Sequence, residues 1–370
     1  MQTARRHRRR KLNVLLTRLA VFAVVVVIIG TVFYTGAKIV MAMGKNSLFK
    51  NVDSQGPVLD PETETGDGEN GTPSGDGDEE YVAWKEGWVR HNGKVYEYNN
   101  DILTFLVMGI DKSEEVSESK DATDGGQSDG LFLTIINPDL QEIQILAINR
   151  DTMTEIQMYG FGEGDDVLTT TAQIAVQHGF GDGRELSCEL TVDAVSKLLY
   201  NLPIHGYLSI NYGALPVLND ALGGIEVTMS QDLSVMYKDW KVGAVVTLKG
   251  IQARDFVQYR DTTQFESARM RLSRQKEYMT AFAAKAIDET KKDITLPVTL
   301  YGKVKKYIVT DLSIDEMTYL ASELSGYHFG EIYTLEGETR EGLQFEEFYP
   351  DKAAMRDMII RLFYREVATD

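Results

Sequence analysis

Guanidinium groups gather at three places in a chain that is otherwise acidic. They fall in Asn149-Arg150-Asp151-Thr152, in Gln258-Tyr259-Arg260-Asp261, and in the run Arg269-Met270-Arg271-Leu272-Ser273-Arg274-Gln275. Arginine offers a planar fork of paired donors and grips phosphate or pyrophosphate well. Two aspartates lie upstream beside apolar, strand-like runs, in Met108-Gly109-Ile110-Asp111 and Ser128-Asp129-Gly130-Leu131. Each flanks a strand of the buried type, and strand ends are where open sheets place ligands. Carboxylates are hard oxygen donors that suit Mg2+, which takes one or two of them and completes its shell with water and phosphate. The pattern points to a metal-assisted phosphate site. Asp111 and Asp129 would hold the metal; Arg150, Arg260, Arg269, Arg271, Arg274 and Gln275 would face the phosphates. For any single arginine, a solvated surface with ordinary salt bridges competes with this reading, and for the two aspartates taken alone ordinary loop chemistry does.

Other chemistries find no support in the spacing. His91, His178 and His205 are scattered and give no zinc pattern. There is no Gly-x-Ser-x-Gly elbow for a serine nucleophile. Gly109 and Gly125-Gly126 make neither a Walker loop nor a dinucleotide fingerprint. The single cysteine, Cys188, excludes an intramolecular disulfide and reads as a small buried residue.

The elements that must position these groups are legible in outline. Asn92-Gly93 sits between alternating apolar residues and predicts a hairpin. Ile102 to Ile110 is a continuous apolar run, suited to a buried strand, and Leu131–Asn137 and Ile143–Ile148 predict two more. A polar loop spans Lys112 to Ser128. A helix is expected from Thr191, a short strand over Tyr207–Ile210, a helix over Tyr212–Leu222 ended by Gly223-Gly224, and a strand over Ile225–Met229. The longest helix is expected from Phe265 to about Thr290, with Leu272, Met279, Phe282, Ala283 and Ala286 as its apolar stripe. Arg271 and Gln275, four apart, share another face, with Arg274 and Tyr278 beside them; that face should point into a cleft or into water. Tyr333–Leu335 predicts a late strand and Lys352 to Arg365 a last helix. The mixture implies an α/β (α+β) fold, with a central mixed sheet flanked by helices.

The chain has 370 residues and a formal net charge of -18. Seven basic residues and no acidic one fall in the first 18, so the remainder is more acidic still. Such a body is a poor match for nucleic acid, whose phosphates need a basic face. Leu19 to Ala37 is almost purely apolar, near the roughly 20 residues a helix needs to cross a bilayer. The basic cluster before it places the N-terminus in the cytoplasm and the body outside. A cleaved signal peptide is the alternative. A stretch rich in Gly, Asp, Glu, Pro and Thr follows and cannot bury enough surface to order itself. The expected organisation is a basic tail over 1–18, a signal anchor over 19–43, an acidic linker over 44–80, a small β-hairpin element over 81–101, and one domain over 102–370.

The order of these pieces resembles the LytR-CpsA-Psr family of bacterial cell-envelope proteins. The resemblance rests on LVMGIDK, SDGLFLTIINP, ILAINRDT, VSKLLYNLPIHGYLSINYGALPVLNDALGGIEV and RLSRQKEYM. It implies a membrane-anchored, extracytoplasmic phosphotransferase of a Gram-positive-type envelope. Such a protein moves a glycopolymer, for example a teichoic acid or capsule, from a polyprenyl pyrophosphate donor to peptidoglycan. By resemblance, Asp111 and Asp129 match the metal-associated aspartates. Arg150 matches the arginine of Arg-Asp-Thr, and Arg260 the second arginine of Arg-x-Arg. Arg271 and Gln275 match the arginine and glutamine of the helix motif. The chain departs from the pattern at Gln258, where the first arginine of Arg-x-Arg would stand. It departs again at Ala268-Arg269-Met270, in place of Asp-Phe-Gly, and at Asn149, in place of proline. Arg269 is a candidate to replace the charge lost at Gln258. A pyrophosphatase with water as acceptor, and a non-enzymatic wall-binding or regulatory protein, remain the alternatives. The residue that would act as base is left open between Asp111 and Asp129.

Overall fold

The structure, a computed structural model, describes residues 38, 41–49, 56–59, 84–119, 123–159, 167–293 and 295–367. The apolar run Leu19–Ala37 and most of the acidic stretch lie outside them. Among the described residues, no helix is long and apolar enough to cross a membrane. The chain divides into two compact units, residues 1–50 with 313–323, and residues 51–312 with 324–370.

In the first unit, helix α1 (41–49) occupies residues expected to end the anchor and begin the linker. It packs closely on α7 (Ile314–Glu323) through Gly44, where an added Cβ would lie 2.4 Å from the Asp315 carbonyl oxygen. A capping box starts α7. Glu316 accepts the Ser313 N–H at 2.8 Å, and the Glu316 N–H reaches Ser313 Oγ at 3.4 Å.

The second unit opens with the hairpin β1 (Val89–His91) and β2 (Lys94–Tyr98). Asn92 and Gly93 both have positive φ, the geometry of a two-residue hairpin turn. The strands β3 (Leu103–Ile110), β4 (Ser128–Asn137) and β5 (Glu142–Ile148) are antiparallel neighbours at the centre of a six-stranded sheet. The hairpin β6 (Met153–Tyr159) and β7 (Val167–Gln173) follows. Next come α2 (Glu185–Leu198), β8 (Gly206–Asn211) and α3 (Ala214–Ala221). The strand β8 runs parallel to β3, which makes the sheet mixed. The pair β9 (Ile225–Thr228) and β10 (Val245–Leu248) precedes α4 (Ile251–Gln258), α5 (Ser267–Lys292) and α6 (Leu296–Val304). Strands β11 (Ile308–Thr310) and β12 (His328–Thr334) close the two sheet edges, giving the order β11-β8-β3-β4-β5-β12. The hairpin β13 (Gly337–Glu341) and β14 (Glu346–Pro350), helix α8 (Lys352–Phe363) and strand β15 (Tyr364–Glu366) end the unit.

One core cluster packs α2 and α8 against strands β3, β4 and β5, through Leu106, Met108, Leu133, Val195 and Ile359. Cys188 belongs to it, and burial raises its thiol to about 12, so it stays protonated packing. Phe132, Ile145 and Ala147 meet Leu272 of α5 in a separate cluster. The stripe of α5 divides: Leu272 and Met279 turn to the sheet, while Phe282 and Ala286 join a third cluster around Trp240 and Phe256. Helix α2 begins six residues before its expected start. Its first turn carries no cap of its own; Asp182 supplies one from the preceding loop, accepting the Ser187 N–H at 3.1 Å.

Candidate active site

Strand β3 ends one residue before Asp111, so that carboxylate flanks its strand as expected. Asp129 does not: it is the second residue inside β4 and is 7% exposed. Gly109 and Gly130 face each other across the β3–β4 pair. The Tyr212 ring comes within 3.2 Å of where a Cβ at Gly109 would be, and the Phe132 ring within 3.0 Å at Gly130. The two glycines leave room for aromatic rings beside the carboxylates.

Asp129 is the hub. Arg271 donates to it through Nη1 at 2.7 Å and Nη2 at 3.3 Å. Arg150 donates to the same carboxylate through Nη1 and to Gln127 Oε1 through Nη2. Three guanidinium N–H groups thus use three of the roughly four acceptor positions on the Asp129 carboxylate. Arg150 leans as well on the buried Asp151, with Nε 3.3 Å from Oδ1. Arg260 reaches Asp151 Oδ2 at 3.4 Å, Glu346 Oε2 at 3.2 Å and, through Nε, Ser267 Oγ at 2.8 Å. Burial raises the Asp151 carboxyl, opposed by Arg150, Arg260 and Arg271. Gln275 donates to the main-chain carbonyls of Asp129 at 3.4 Å and Val257 at 3.3 Å, so it ties α5 to β4 and to the end of α4.

The fold therefore brings Arg150, Arg260, Arg271, Gln275, Asp111 and Asp129 together from separate elements, and the arginine-bearing face of α5 is buried rather than solvated. Two residues sit elsewhere. Arg274 is buried on the other side of the helix turn, its donors spent on the carbonyls of Phe256 and Tyr259 and on Gln231. Burial, then the neighbouring Arg271, lowers it to about 10. It fastens α5 to α4, and this removes it from the expected phosphate contacts. Arg269 is exposed, pairs with Glu266 at 3.0 Å, and lines a different cleft, so it does not replace the charge absent at Gln258.

Arg150, Asp151 and Arg260 open onto a cleft of about 800 Å3 with Gln127, Gln173, Ser267 and Glu346 on its walls. Sequence patterns passed over Gln127, Asp151 and Glu346 as site residues. Asp151 had a signal, since it stands inside Arg-Asp-Thr. Glu346 had none, being in an acidic stretch 86 residues beyond Arg260. Its carboxylate also accepts the Glu266 N–H at 2.6 Å, where the chain takes a left-handed turn (φ 58°) just before α5.

The donor set fits Mg2+. Desolvation raises Asp111, the Asp129 charge adds to the rise, and the Gln127 N–H on Oδ1 at 2.7 Å opposes it. A cation shared by the two carboxylates relieves that repulsion. Among the described residues no group of three or more His, Cys, Asp or Glu forms a metal cage. Two carboxylates without a third suit an ion that keeps water and phosphate in its shell. Three arginines face four carboxylates here, Asp111, Asp129, Asp151 and Glu346, so an added pyrophosphate needs a further positive charge.

The sequence model of the LytR_cpsA_psr family matches residues 75–358, and the chain belongs to that family. A relative from Halalkalibacterium halodurans, named polyisoprenyl-teichoic acid–peptidoglycan teichoic acid transferase TagU, is 28% identical over 61% of this chain and 66% of its own length. The chain thus spans just under two thirds of that relative. A crystal structure from Streptococcus agalactiae matches with a TM-score of 0.56 at 22% identity, over 70% of this chain and 86% of that one. TagT bound to LI-WTA matches with a TM-score of 0.51 at 21% identity, over 70% and 89%; TagT from B. subtilis matches alike. At these identities the three solved structures speak to the fold.

Proposed function

We propose that this protein is a membrane-anchored, extracytoplasmic phosphotransferase that moves a glycopolymer from a polyprenyl pyrophosphate donor to peptidoglycan. The observation that carries the reading is the convergence of Arg150, Arg260 and the buried Arg271 on one carboxylate network, with Arg150 and Arg260 lining the cleft. The names of the relatives supply the substrate class, and Leu19 to Ala37 supplies the anchor. A bound pyrophosphate would compete with Asp151 and Glu346 for the forks of Arg150 and Arg260. Those carboxylates hold the guanidiniums in place beforehand, so little reorganisation is left for the reaction. Arg271 stays on Asp129 and fixes that carboxylate toward Asp111. Asp111 and Asp129 would hold Mg2+, which when bound neutralises charge developing on the phosphoryl oxygens. Anchoring in the bilayer raises the effective concentration of a donor that cannot leave it.

The test is reconstitution of the full chain in vesicles with a lipid-linked glycopolymer, with and without peptidoglycan and Mg2+. Polymer transferred to the acceptor, and lost on chelation, is the expected result. Donor cleavage indifferent to acceptor would make the protein a pyrophosphatase. An unconsumed donor would leave a wall-binding or regulatory role.

A further inference from the structure

Behind the arginine cleft lies a second one of about 530 Å3, and the same three segments wall both. Arg150 and Asp151 face the first and Asn149 the second. Glu346 faces the first and Phe348 the second. Ser267 opens α5 on the first, while Arg269, Ser273 and Lys276 follow its surface along the second. A ligand in the second cleft would lie one residue along the chain from Arg150.

The lining of this cleft is chemically specific. Asn149 is 8% exposed; its Oδ1 accepts the Asp151 N–H at 3.0 Å, and its amide nitrogen has no partner among the described residues. A donor facing a cleft can be met there by an acceptor on a ligand or by water. Lys276 is partly buried and makes no ion pair among the described residues, and Arg269 makes one, with Glu266. These cations stand out on a body as acidic as this one. Glu336 is the one carboxylate on the lining and can accept hydroxyls, and Phe348 offers an apolar patch. Asn149 and Arg269 are also two of the positions where the chain departs from the family pattern, and both line this cleft.

We propose that this second cleft binds the acceptor glycan, through an anionic substituent held by Arg269 and Lys276 and a hydroxyl or carbonyl oxygen held by Asn149. The assignment rests on the transferase reading for the word acceptor; the binding of an anionic saccharide does not. A separate cleft, on the Asn149 side of the 149–151 turn, would let two substrates be present together.

The first measurement is calorimetric binding to the full chain in detergent, without donor. The probes are a soluble disaccharide-peptide of peptidoglycan with free carboxylates, its amidated counterpart, and a short polyol phosphodiester. The carboxylate form should bind, the amidated form about tenfold more weakly, and Arg269→Gln and Lys276→Gln should each weaken the first by a similar factor. Asn149→Asp keeps the oxygen that caps Asp151 but removes the donor, and should weaken it too. Lys291→Gln, at the far end of α5, is the control. In the transfer assay the same variants should raise KM for acceptor while KM for donor stays within about twofold. Tighter binding of the phosphodiester, a rise in donor KM instead, or equal binding by all variants would overturn the proposal. If the chain binds the fragment as described yet transfers nothing, the transferase reading fails and the saccharide site stands.

Discussion

Asp111 and Asp129 look equivalent in sequence and are not equivalent in the fold. Asp111 is at a strand end and receives one main-chain N–H, whereas Asp129 is buried under Arg150 and Arg271. Read as loop residues, both should be replaceable with little cost to stability; the burial of Asp129 reverses that for one of them. Asp111→Ala should leave the melting temperature nearly unchanged and lower transfer severely. Asp129→Ala should also destabilise the fold by about 3–5 kcal/mol, because it strands the buried Arg271 guanidinium and takes a partner from Arg150. Paired denaturation and transfer assays separate the two, and equal melting curves would contradict the hub assignment. Arginine identity should matter as much as charge. Arg150→Lys, Arg260→Lys and Arg271→Lys each lose a fork, at about 2–4 kcal/mol in the transition state or roughly 30- to 1000-fold in rate. Arg340→Lys, on exposed β13, is the neutral comparison, since its partner Glu338 is equally exposed. Small, uniform effects at all four would return the cluster to ordinary surface charge.

Among the elements, α5 supplies Arg271 and Gln275, and its beginning is the delicate point. The turn at Glu266 is left-handed, unfavourable for a residue with a Cβ, and its N–H is held by Glu346. Glu346→Gln should loosen both the start of α5 and Arg260. Faster amide exchange over the first turn of α5, with transfer reduced by about tenfold or more, is expected from losing charge-assisted bonds to two partners. Unchanged exchange there would show that the turn holds itself. Glu346 also marks where sequence reading stopped. Strands β3, β4 and β5, helix α3 with its glycine end, and the face of Arg271 and Gln275 follow from local period and punctuation. The contacts of Glu346 with Arg260, and of Arg274 with the end of α4, follow from tertiary packing that no local pattern encodes. The strand β7, with five exposed residues in a row, gave no apolar alternation to read. The early start of α2 was hidden because its cap is borrowed from Asp182.

On the scale of the whole molecule, pH should act through two buried histidines that do not line the cleft. Burial lowers His178 and His205 to about 4. His178 donates through Nδ1 to the carbonyl of Gly125 at 3.0 Å, steadying the loop that leads to Gln127 and Asp129. His205 accepts the Thr104 N–H at 3.1 Å, a bond its protonation would break. Unfolded, each takes up a proton near pH 6.5, so between about 6.5 and 4 the unfolded chain binds more protons. Stability should fall as pH is lowered through that window, by up to about 3 kcal/mol for each histidine. Denaturation at pH 7 and 5 should show the loss, and His205→Gln should lessen the slope. The proposed anchor makes a separate demand. Protease added to intact protoplasts should digest the body and spare the basic tail, and a protected body would rule out the proposed topology. Sequence composition gave the acidity of the body, but not the division of its charges into a carboxylate-held arginine cleft and a basic one beside it. The chain order of the site has a further consequence, in time rather than in space. A ribosome makes all three arginines before it makes Glu346, which orients Arg260 and holds the entrance to α5. If the arginines grip phosphate as proposed, a growing chain would have that grip in pieces until the last hairpin arrives, and a half-made copy would be inert.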